Sequence, residues 1–493
     1  MKRFSGVAFA ILVALIATAH VGSPNVLFDG LAGPYSVRVI VRPPDVVPGL
    51  AEVIVRVDAA DADRVALRPV FWRAGAVGAP KADDAARVPG KDPIYSGHVW
   101  LMSRGSYSVY VTVGGARGSG TAIVPVNAFA TGRLDLPPAL GAILVVLAVL
   151  LVAGLLTIVR AAAGDSLVPA GEPVTAPTRR RANLVMLISA PVIALALFGG
   201  AKWWGAVDGD YQRTMFRPPA AVATVSVDST HRTLRLAVRD TAQFHAIFSP
   251  VVPDHGKMMH LFLVSTTGMQ IFSHLHPIQI DSLQFLTELP WAPAGRYLLF
   301  GDITLENGTS LTVSSRVDIP AAPGSVLQSD ADDSWDRTSS VTPLVDGAVR
   351  ELADSYSLAW TGGATPLVSG QPVDLRFAVR DSTGSTVPLQ PSLGMAAHAV
   401  VLRHDASVFI HLHPMGTIAS VSQQVFALRD RGDTTARGRL NIASLRPDSM
   451  PAMSLSGALS FPYEFPKPGR YRIWVQVKPK QHVLTGAFDV DVR

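Results

Sequence analysis

The stretch Phe272-Ser-His-Leu-His-Pro277 recurs as Phe409-Ile-His-Leu-His-Pro414, and this repetition decides how the C-terminal half of the chain is organised. Two further pairs of segments recur in the same order around it: Leu234-Arg-Leu-Ala-Val-Arg-Asp240 with Leu375-Arg-Phe-Ala-Val-Arg-Asp381, and Pro293-Ala-Gly-Arg-Tyr297 with Lys467-Pro-Gly-Arg-Tyr471. Three matches in one order indicate a duplicated module. The second copy carries a long insertion, roughly residues 420–459. The Asp- and Ser-rich segment 326–340 is predicted to link the copies.

Two apolar stretches ahead of the repeat are long enough to cross a bilayer as helices, which takes about 20 residues. They span residues 139–159 and 182–201. Arg160 and the cluster Arg179-Arg-Arg181 lie between them, so the positive-inside rule puts this short loop in the cytoplasm. Buried core helices are the alternative, which the length of the runs and the arginines disfavour. We expect a transmembrane hairpin at 134–204, with both flanking regions outside the cytoplasm.

The N-terminal residues have the order of a secretory signal peptide: a basic start, a short apolar stretch and a small-x-small site at Ala17-Thr-Ala19. Cleavage after Ala19 removes residues 1–19 and makes His20 the first mature residue. An uncleaved anchor or a nearby cut is the alternative. Together with the hairpin, this signal predicts a bacterial inner-membrane protein, with most of the chain in the periplasm or on the extracellular side.

Strand-like alternation of apolar and polar residues runs through the segments on both sides of the hairpin. It is clearest at 35–42, 51–57 and 107–113, where Pro-Pro, Pro-Gly and Gly-Gly pairs punctuate the chain. The sequence therefore predicts a mainly β protein with three small antiparallel β-sandwich domains, immunoglobulin- or cupredoxin-like, plus a two-helix transmembrane hairpin. The sandwiches are expected at residues 20–133, 205–325 and 341–493.

Composition excludes several kinds of chemistry. The 493 residues contain no cysteine, which rules out disulfides, thiolate metal sites and thiol catalysis. A net charge of +5, without a basic patch interleaved with aromatic residues, gives nucleic-acid binding little support. The sequence has no Gly-rich phosphate loop, nucleophile elbow or convincing carboxylate pair, so we do not expect an enzyme.

Each copy of the repeat holds three histidines at matching positions. One histidine opens a strand, a turn follows, and the next strand ends in the His-Leu-His element. Side chains two residues apart on a strand share a face, and antiparallel pairing returns the end of the second strand to the start of the first. Three imidazoles can then converge on an ion at about 2 Å. The candidate ligands are His260, His274 and His276 in the first copy, and His398, His411 and His413 in the second.

Methionines accompany these histidines. Met259 directly precedes the first histidine of copy one, and Met395 lies three residues before that of copy two. Thioether and imidazole ligands without thiolate favour copper, above all Cu(I), whereas imidazoles alone leave zinc as the alternative. No acidic residue has an obvious ligand spacing, so calcium and magnesium are not expected. Copy two has Ala397 in place of Met259, which predicts that the two sites are unequal.

The same pattern also has a purely structural interpretation. His-Leu-His-Pro can form a corner in which Pro ends the strand and the imidazoles hydrogen-bond backbone groups, with the methionines filling the core. The chain would then be a scaffold that displays sandwich domains to a periplasmic protein partner. The metal hypothesis is that the chain captures, buffers or passes copper at the membrane surface. All 13 histidines lie in segments expected outside the cytoplasm, which mildly favours the metal hypothesis.

The expected mature N-terminus resembles periplasmic copper-resistance proteins of the CopC type, and copper monooxygenases, which bind Cu(II) through a histidine brace. The resemblance lies in Ala19 followed by His20, then a small β-sandwich with one further histidine, His98. It implies that the amine and Nδ1 of His20, completed by His98, bind copper. The CopC type places an acid two residues before its later histidine, where this chain has Ser96. A copper oxidase or monooxygenase centred on His20 is a further hypothesis.

The repeated modules resemble a group of secreted bacterial β-domains that occur near copper and heavy-metal efflux components. In that group a Met-His strand precedes a Phe-x-His-Leu-His-Pro strand, and a Pro-Gly-x-Tyr strand closes the fold. The matching residues here are Met259-His260, Phe272 to Pro277 and Gly295-Arg-Tyr297. The resemblance implies metal handling without assigning a metal.

Overall fold

The computed structural model of the chain describes residues 20–21, 25–91, 93–166, 168–169, 171–228, 231–239, 244, 248–289, 292–321, 330–338, 341–364, 366–435, 438–445 and 455–493. The predicted signal peptide, 1–19, lies outside these residues. The described chain forms two compact units: one joins the residues up to Phe129 with Arg217–Arg493, and the other is Ala130–Phe216. The prediction of a mainly β chain with antiparallel sheets and two long apolar helices is confirmed.

Among the described residues ahead of the first helix there are ten strands: β1 (His20–Val21), β2 (Val26–Ala32), β3 (Tyr35–Arg42), β4 (Gly49–Val57), β5 (Ala62–Phe71), β6 (Asp83–Asp84), β7 (Ala86–Arg87), β8 (Ile94–Leu101), β9 (Gly105–Gly115) and β10 (Gly118–Ala128). They form a five-stranded sheet, β2-β3-β4-β8-β7, and a four-stranded sheet, β10-β9-β5-β6, around one hydrophobic cluster. Every second residue of β4 is buried, as the period-two pattern predicts. Strand β1 instead pairs with a strand of the last domain.

Two long helices make up the second unit: α1 (Pro138–Asp165) and α2 (Ala176–Thr214). Both are long and apolar enough to cross a membrane, with mean hydropathies of 3.2 and 2.3 in their most apolar windows. They contain the predicted runs 139–159 and 182–201 but extend beyond them. The predicted start of the first module at residue 205 is wrong, because α2 continues to Thr214. It ends four residues before Pro218, and this proline disfavours a helical conformation at the residue that precedes it.

The described part of the first repeat module contains ten strands: β11 (Ala221–Val227), β12 (Arg232–Val238), β13 (Val251–Val252), β14 (His260–Ser265), β15 (Ile271–Leu275), β16 (Ile278–Asp281), β17 (Gln284–Glu288), β18 (Gly295–Leu305), β19 (Ser310–Ile319) and β20 (Ser334–Arg337). One sheet has the order β11-β12-β17-β16. The other has the order β13-β18-β14-β15-β20, with β19 also paired to β18.

The predicted linker at 326–340 is wrong where the structure describes it. Strand β20 pairs antiparallel with β15 and completes the sheet of the first module. Its pairing satisfies backbone groups that would otherwise be exposed along the edge of β15. The Asp- and Ser-rich composition that predicted a linker instead supplies polar side chains to the centre described below.

The second module contains β21 (Thr342–Pro343), β22 (Val349–Glu351), β23 (Ser357–Trp360), β24 (Pro372–Arg380), β25 (Ala397–Arg403), β26 (Val408–Leu412), α3 (Ser420–Asp430), β27 (Ala458–Glu464), β28 (Gly469–Val477) and β29 (Leu484–Val492). Its sheets have the orders β22-β23-β24-β27 and β1-β26-β25-β28-β29-β21. The antiparallel core β15-β14-β18-β19 of the first module matches β26-β25-β28-β29 of the second, which agrees with the duplication inferred from sequence.

The two modules pack these matching sheets against each other. A shared hydrophobic cluster joins Phe262, Phe272 and Phe300 to Phe409 and Trp474. Phe300 stacks on Phe409 with ring centroids 4.1 Å apart, and Phe272 stacks on Trp474 at 4.8 Å. Because Phe272 is equivalent to Phe409, and Phe300 to Trp474, the same contact is made twice with the roles of the modules exchanged.

The insertion of the second module holds the three sandwiches together. Helix α3 lies within it, and its Gln423 side chain donates to the backbone of Ile123 in the N-terminal sandwich. At the other side, Leu440 N–H donates to the buried Glu306 carboxylate of the first module, at 2.6 Å. The N-terminal sandwich also contacts the second module directly, where Asp29 N–H donates to Met415 O at 2.8 Å.

Candidate metal centre

The predicted histidine hairpins form in both modules. In the first, Phe262 is the partner of His274 in the β14–β15 pair, which carries His276 back toward His260. In the second, Val400 is the partner of His411 in the β25–β26 pair, and the same return follows. Tight turns after residues 265 and 403 close both hairpins, as the sequence indicates.

Each hairpin gathers its three histidines into a compact triad. The ligand atoms of His260, His274 and His276 lie within 4.8 Å of one another, and so do those of His398, His411 and His413. All six residues are at most 7% exposed. The structure therefore brings together all six histidines that the repeat singled out, three in each triad.

The two triads are adjacent. The rings of His260 and His411, from different triads, are 5.5 Å apart between centroids. This is as close as neighbours within a triad, since His260 and His274 are 5.4 Å apart and His398 and His411 are 5.3 Å apart. The six imidazoles thus form one cluster at the interface between the modules. The sequence left open whether the two sets face each other, and they do.

Polar groups behind the rings fix several Nδ1 atoms. His276 Nδ1–H donates to Asp333 at 2.8 Å, and the Asp302 carboxylate lies 3.4 Å from His411 Nδ1. His274 Nδ1–H donates to the Gln476 amide oxygen at 2.8 Å, and His413 Nδ1–H to the Ile418 carbonyl at 3.1 Å. Metal-binding histidines have this arrangement, because the outer partner sets the tautomer and leaves the other nitrogen free to bind.

The opposite nitrogens have no such partners. Within the described residues, these buried nitrogens lack a hydrogen-bond partner: Nε2 of His260, His276, His398, His411 and His413. His274 Nε2 differs from these, because it lies 3.1 Å from His260 Nδ1, within hydrogen-bond distance.

A seventh histidine joins the cluster and was missed from the sequence. The ring of His255 lies 5.5 Å from His413 and 6.3 Å from both His260 and His398. It occupies a tight turn with φ of 50°, and the equivalent turn of the second module has Leu393 with φ of 51°. The second module has no histidine at this position, so the repeat gave no signal for His255. Its closeness to His260 in the sequence was the one feature that could have indicated a role in the cluster.

Acidic residues contribute more to the surroundings of the histidine cluster than the sequence suggested. Although burial opposes ionisation, His255, His260 and His413 together with the Val421 N–H hold the pKa of Asp254 below its ordinary value. Asp254 also accepts from the Val421 N–H and the Ser420 hydroxyl at the start of α3. Burial raises the pKa of Asp302 to about 7. No acidic ligand was expected from spacing, because these carboxylates come from other strands and loops.

Burial dominates the electrostatics of the histidines. It lowers the pKa of His413 to about 4. Burial, followed by the charge of neighbouring imidazoles, also lowers the pKa of four others well below 6.5: His260, His274, His398 and His411. These imidazoles are therefore neutral at physiological pH, which is the state that binds metals.

The two predicted methionine ligands are buried core residues. The Met259 sulfur lies next to Gly301, and Met395 is a fully buried member of the hydrophobic cluster of the N-terminal sandwich. Both side chains thus have a packing role, and binding of a metal by their thioethers stays a prediction.

The residues of the predicted brace lie on different sheets. His20 is in β1, where its backbone pairs with Val408, and its side chain is outside the description. His98 is exposed on β8, where it pairs with Glu52. The histidine brace therefore stays a prediction.

A surface pocket of about 330 Å³ adjoins the histidine cluster. His255 lines it, together with the equivalent turn residue Leu393. Lys257 and Lys478 also line this pocket and are ion-paired with Asp330 and Asp332. His255, whose ring neighbours His413, therefore stands between this pocket and the cluster.

Comparisons with known proteins assign no function to this centre. Residues 350–493, well under half of the chain, match a family model described as a domain of unknown function, DUF8832. No curated protein matches the chain.

Likenesses to solved structures are remote. The tetra-tandem repeat in the extending region of a large adhesion protein is 11% identical with a TM-score of 0.15, covering 91% of this chain and 96% of that one. Native E. coli alpha-2-macroglobulin is 9% identical with a TM-score of 0.19, covering 96% of this chain and 23% of that one. The BSP domain of a biofilm-associated protein is 8% identical with a TM-score of 0.14, covering 97% and 68%. TM-scores this low carry no argument about fold or function.

Proposed function

We propose that the chain is a membrane-anchored periplasmic protein that binds copper through its two histidine triads and captures, buffers or passes the metal. Zinc is the alternative metal. The observation that carries this proposal is the set of five buried Nε2 atoms that lack a protein partner. Three of these belong to rings whose Nδ1 faces a polar group on the other side: His276, His411 and His413.

The energetic cost of these nitrogens supports a bound ion. A buried polar group without a hydrogen bond costs about 1–3 kcal/mol. The five buried Nε2 atoms without a protein partner therefore favour a bound group that uses their lone pairs. A metal ion in each triad would satisfy these nitrogens at once, because each neutral imidazole offers a lone pair.

Copper is preferred on the chemistry of the donors. Imidazole sites bind divalent metals in an order that peaks at copper. Three imidazoles without thiolate also suit Cu(I) and Zn(II). The burial of both triads supports binding and transfer of an ion rather than catalysis on a larger substrate.

Removing two histidines from each triad is expected to abolish metal binding. The full chain in detergent, with His274, His276, His411 and His413 all changed to Ala, should retain little of the roughly two copper ions per chain expected of the native protein. Elemental analysis after dialysis against a weak chelator measures this. His482→Ala is the matched control, because His482 is an exposed histidine outside the cluster. Unchanged copper content in the fourfold variant would sink the proposal.

The scaffold alternative is favoured by a different observation: the same histidines also hydrogen-bond across the module interface. His274 of the first module binds Gln476 of the second. If holding the modules together to display a surface to a protein partner is their only role, the fourfold variant should lose thermal stability while the native chain binds no stoichiometric copper. Melting curves recorded with the metal analysis separate the two functions.

The membrane topology of this proposal is testable because the chain has no cysteine. Single cysteines at exposed Ser119, Ser166 and Ser226 probe the N-terminal sandwich, the loop between the helices and the first module in turn. We expect a membrane-impermeant maleimide to label Ser119→Cys and Ser226→Cys in spheroplasts, and Ser166→Cys only after lysis. Equal labelling of all three in intact spheroplasts would contradict a periplasmic protein with a cytoplasmic loop.

A further inference from the structure

Each triad takes one of its outer partners, the polar groups that face its Nδ1 atoms, from the other module. Asp302 and Gln476 occupy equivalent positions, seven residues after the glycines that open β18 and β28. Asp302 of the first module lies behind His411 of the second, whereas Gln476 of the second lies behind His274 of the first. Each module therefore supplies an outer partner to the other module's triad, so neither module alone builds a complete site.

The orientation of Gln476 is fixed by a second contact. Its amide nitrogen donates to the Ser334 hydroxyl of β20, which turns its oxygen toward His274 Nδ1. This holds the His274 proton on Nδ1 and leaves Nε2 with its lone pair. The triad of the first module thus depends on β28 of the second module and on β20 at the edge of its own sheet.

Carboxylates lie behind both triads. Asp333 accepts from His276 in the first triad, with Asp330 4.0 Å from the same Nδ1, and Asp302 faces His411 in the second. The neutral imidazoles themselves contribute no charge that would balance a bound cation.

We propose that the six histidines form a single dinuclear centre, built jointly by the two modules, which holds two monovalent copper ions but binds a second divalent ion far more weakly than the first. The proposal rests on the metal-binding function above. Rings of different triads are only 5.5 Å apart, so two bound ions are neighbours in one buried chamber. Repulsion between two divalent ions is four times that between two monovalent ions at the same distance, and low dielectric strengthens both.

Competition titrations of the full chain in detergent test the charge dependence. Cu(I) is titrated anaerobically against a chromophoric Cu(I) chelator, and Zn(II) against a chromophoric Zn(II) chelator. We expect two Cu(I) ions of comparable affinity, and a second Zn(II) at least about tenfold weaker than the first. His276→Gln and His413→Gln, which each disable one triad, should each retain a single Zn(II) at the native first-ion affinity.

Crossed variants test the joint construction. Asp302→Asn should weaken Cu(I) binding about 10- to 100-fold in the His276→Gln background, where only the second triad remains. It should have little effect in the His413→Gln background, where only the first triad remains. Gln476→Met should show the reverse pattern. A merely structural role for either residue would weaken both triads alike.

The outcomes are distinct. Two Zn(II) ions of equal affinity, or outer-partner effects confined to the residue's own module, would overturn the dinuclear proposal while leaving metal binding intact. A chain that binds neither Cu(I) nor Zn(II) would overturn the proposed function itself. Far-UV circular dichroism of every variant confirms that a lost ion reflects a lost ligand and not an unfolded chain.

Discussion

Lowering the pH from 7 to 5 is expected to unfold the metal-free protein. Burial depresses the pKa of five histidines in the cluster, so the unfolded chain binds more protons than the folded chain below about pH 6.5. Asp302, with a pKa of about 7, offsets one of these protons because its folded form takes up a proton first. The net uptake of about four protons makes stability fall by roughly 5 kcal/mol per pH unit.

The part of the unfolding free energy that depends on neutral histidines is fully present above about pH 7. It is lost as the pH falls through 6.5 toward the pKa values of the histidines in the folded chain, which is about 4 for His413. Urea titrations of chelator-treated protein at half-unit steps of pH measure the effect. His413→Gln should reduce the slope by about one proton, and His482→Ala should leave it unchanged. A midpoint that stays constant between pH 7.5 and 5.5 would show that the histidines are hydrated in solution, contrary to their burial here.

Replacing Trp474 by alanine is expected to lower the free energy of unfolding by about 3–5 kcal/mol, the cost of deleting a large buried aromatic side chain. Trp474 is fully buried and stacks on Phe272 across the module interface. The cavity would loosen β15, which also carries His274, so copper affinity should fall together with stability. Chemical denaturation and a Cu(I) chelator competition measure the two effects.

The repeat itself supplies the matched control. The first module has Phe300 at the position of Trp474, and Phe300 makes the equivalent stack with Phe409. Trp474→Phe should therefore keep the stack and cost less than half as much as Trp474→Ala. Trp100→Ala, at a position 55% exposed, should change stability by less than about 0.5 kcal/mol. Equal losses for Trp474→Ala and Trp474→Phe would mean that the stack contributes nothing to the interface.

Local patterns in the sequence were sufficient to predict several strands, both helices and the two histidine triads. Alternation of apolar and polar residues marked β3, β4 and β9, and unbroken apolar runs marked both helices. The His-Leu-His spacing and the preceding histidine predicted each hairpin, because strand geometry fixes which side chains share a face. Each of these signals lies within one continuous segment of the chain, the longest being the apolar runs 139–159 and 182–201.

What the sequence could not supply are contacts between distant segments. His274 and Gln476 are 202 residues apart, and nothing near Gln476 marks it as part of a centre. Asp333 lay in a segment whose composition predicted a linker, and its strand pairing became evident only in the fold. Met395 carried a ligand-like position in the sequence, yet it packs against the N-terminal sandwich, a contact that no local pattern encodes.

The backbone contact between β2 and the loop after the second His-Leu-His-Pro element has a consequence for biosynthesis. Leu27 N–H donates to the hydroxyl of Thr417, 390 residues later in the chain. On the ribosome, β2 therefore emerges long before its partner, and its open edge stays available to other strands until residue 417 has been made. The N-terminal sandwich is thus completed only after most of the second repeat module's first hairpin exists, so a truncated chain ending before residue 415 should be an aggregation hazard rather than a working fragment.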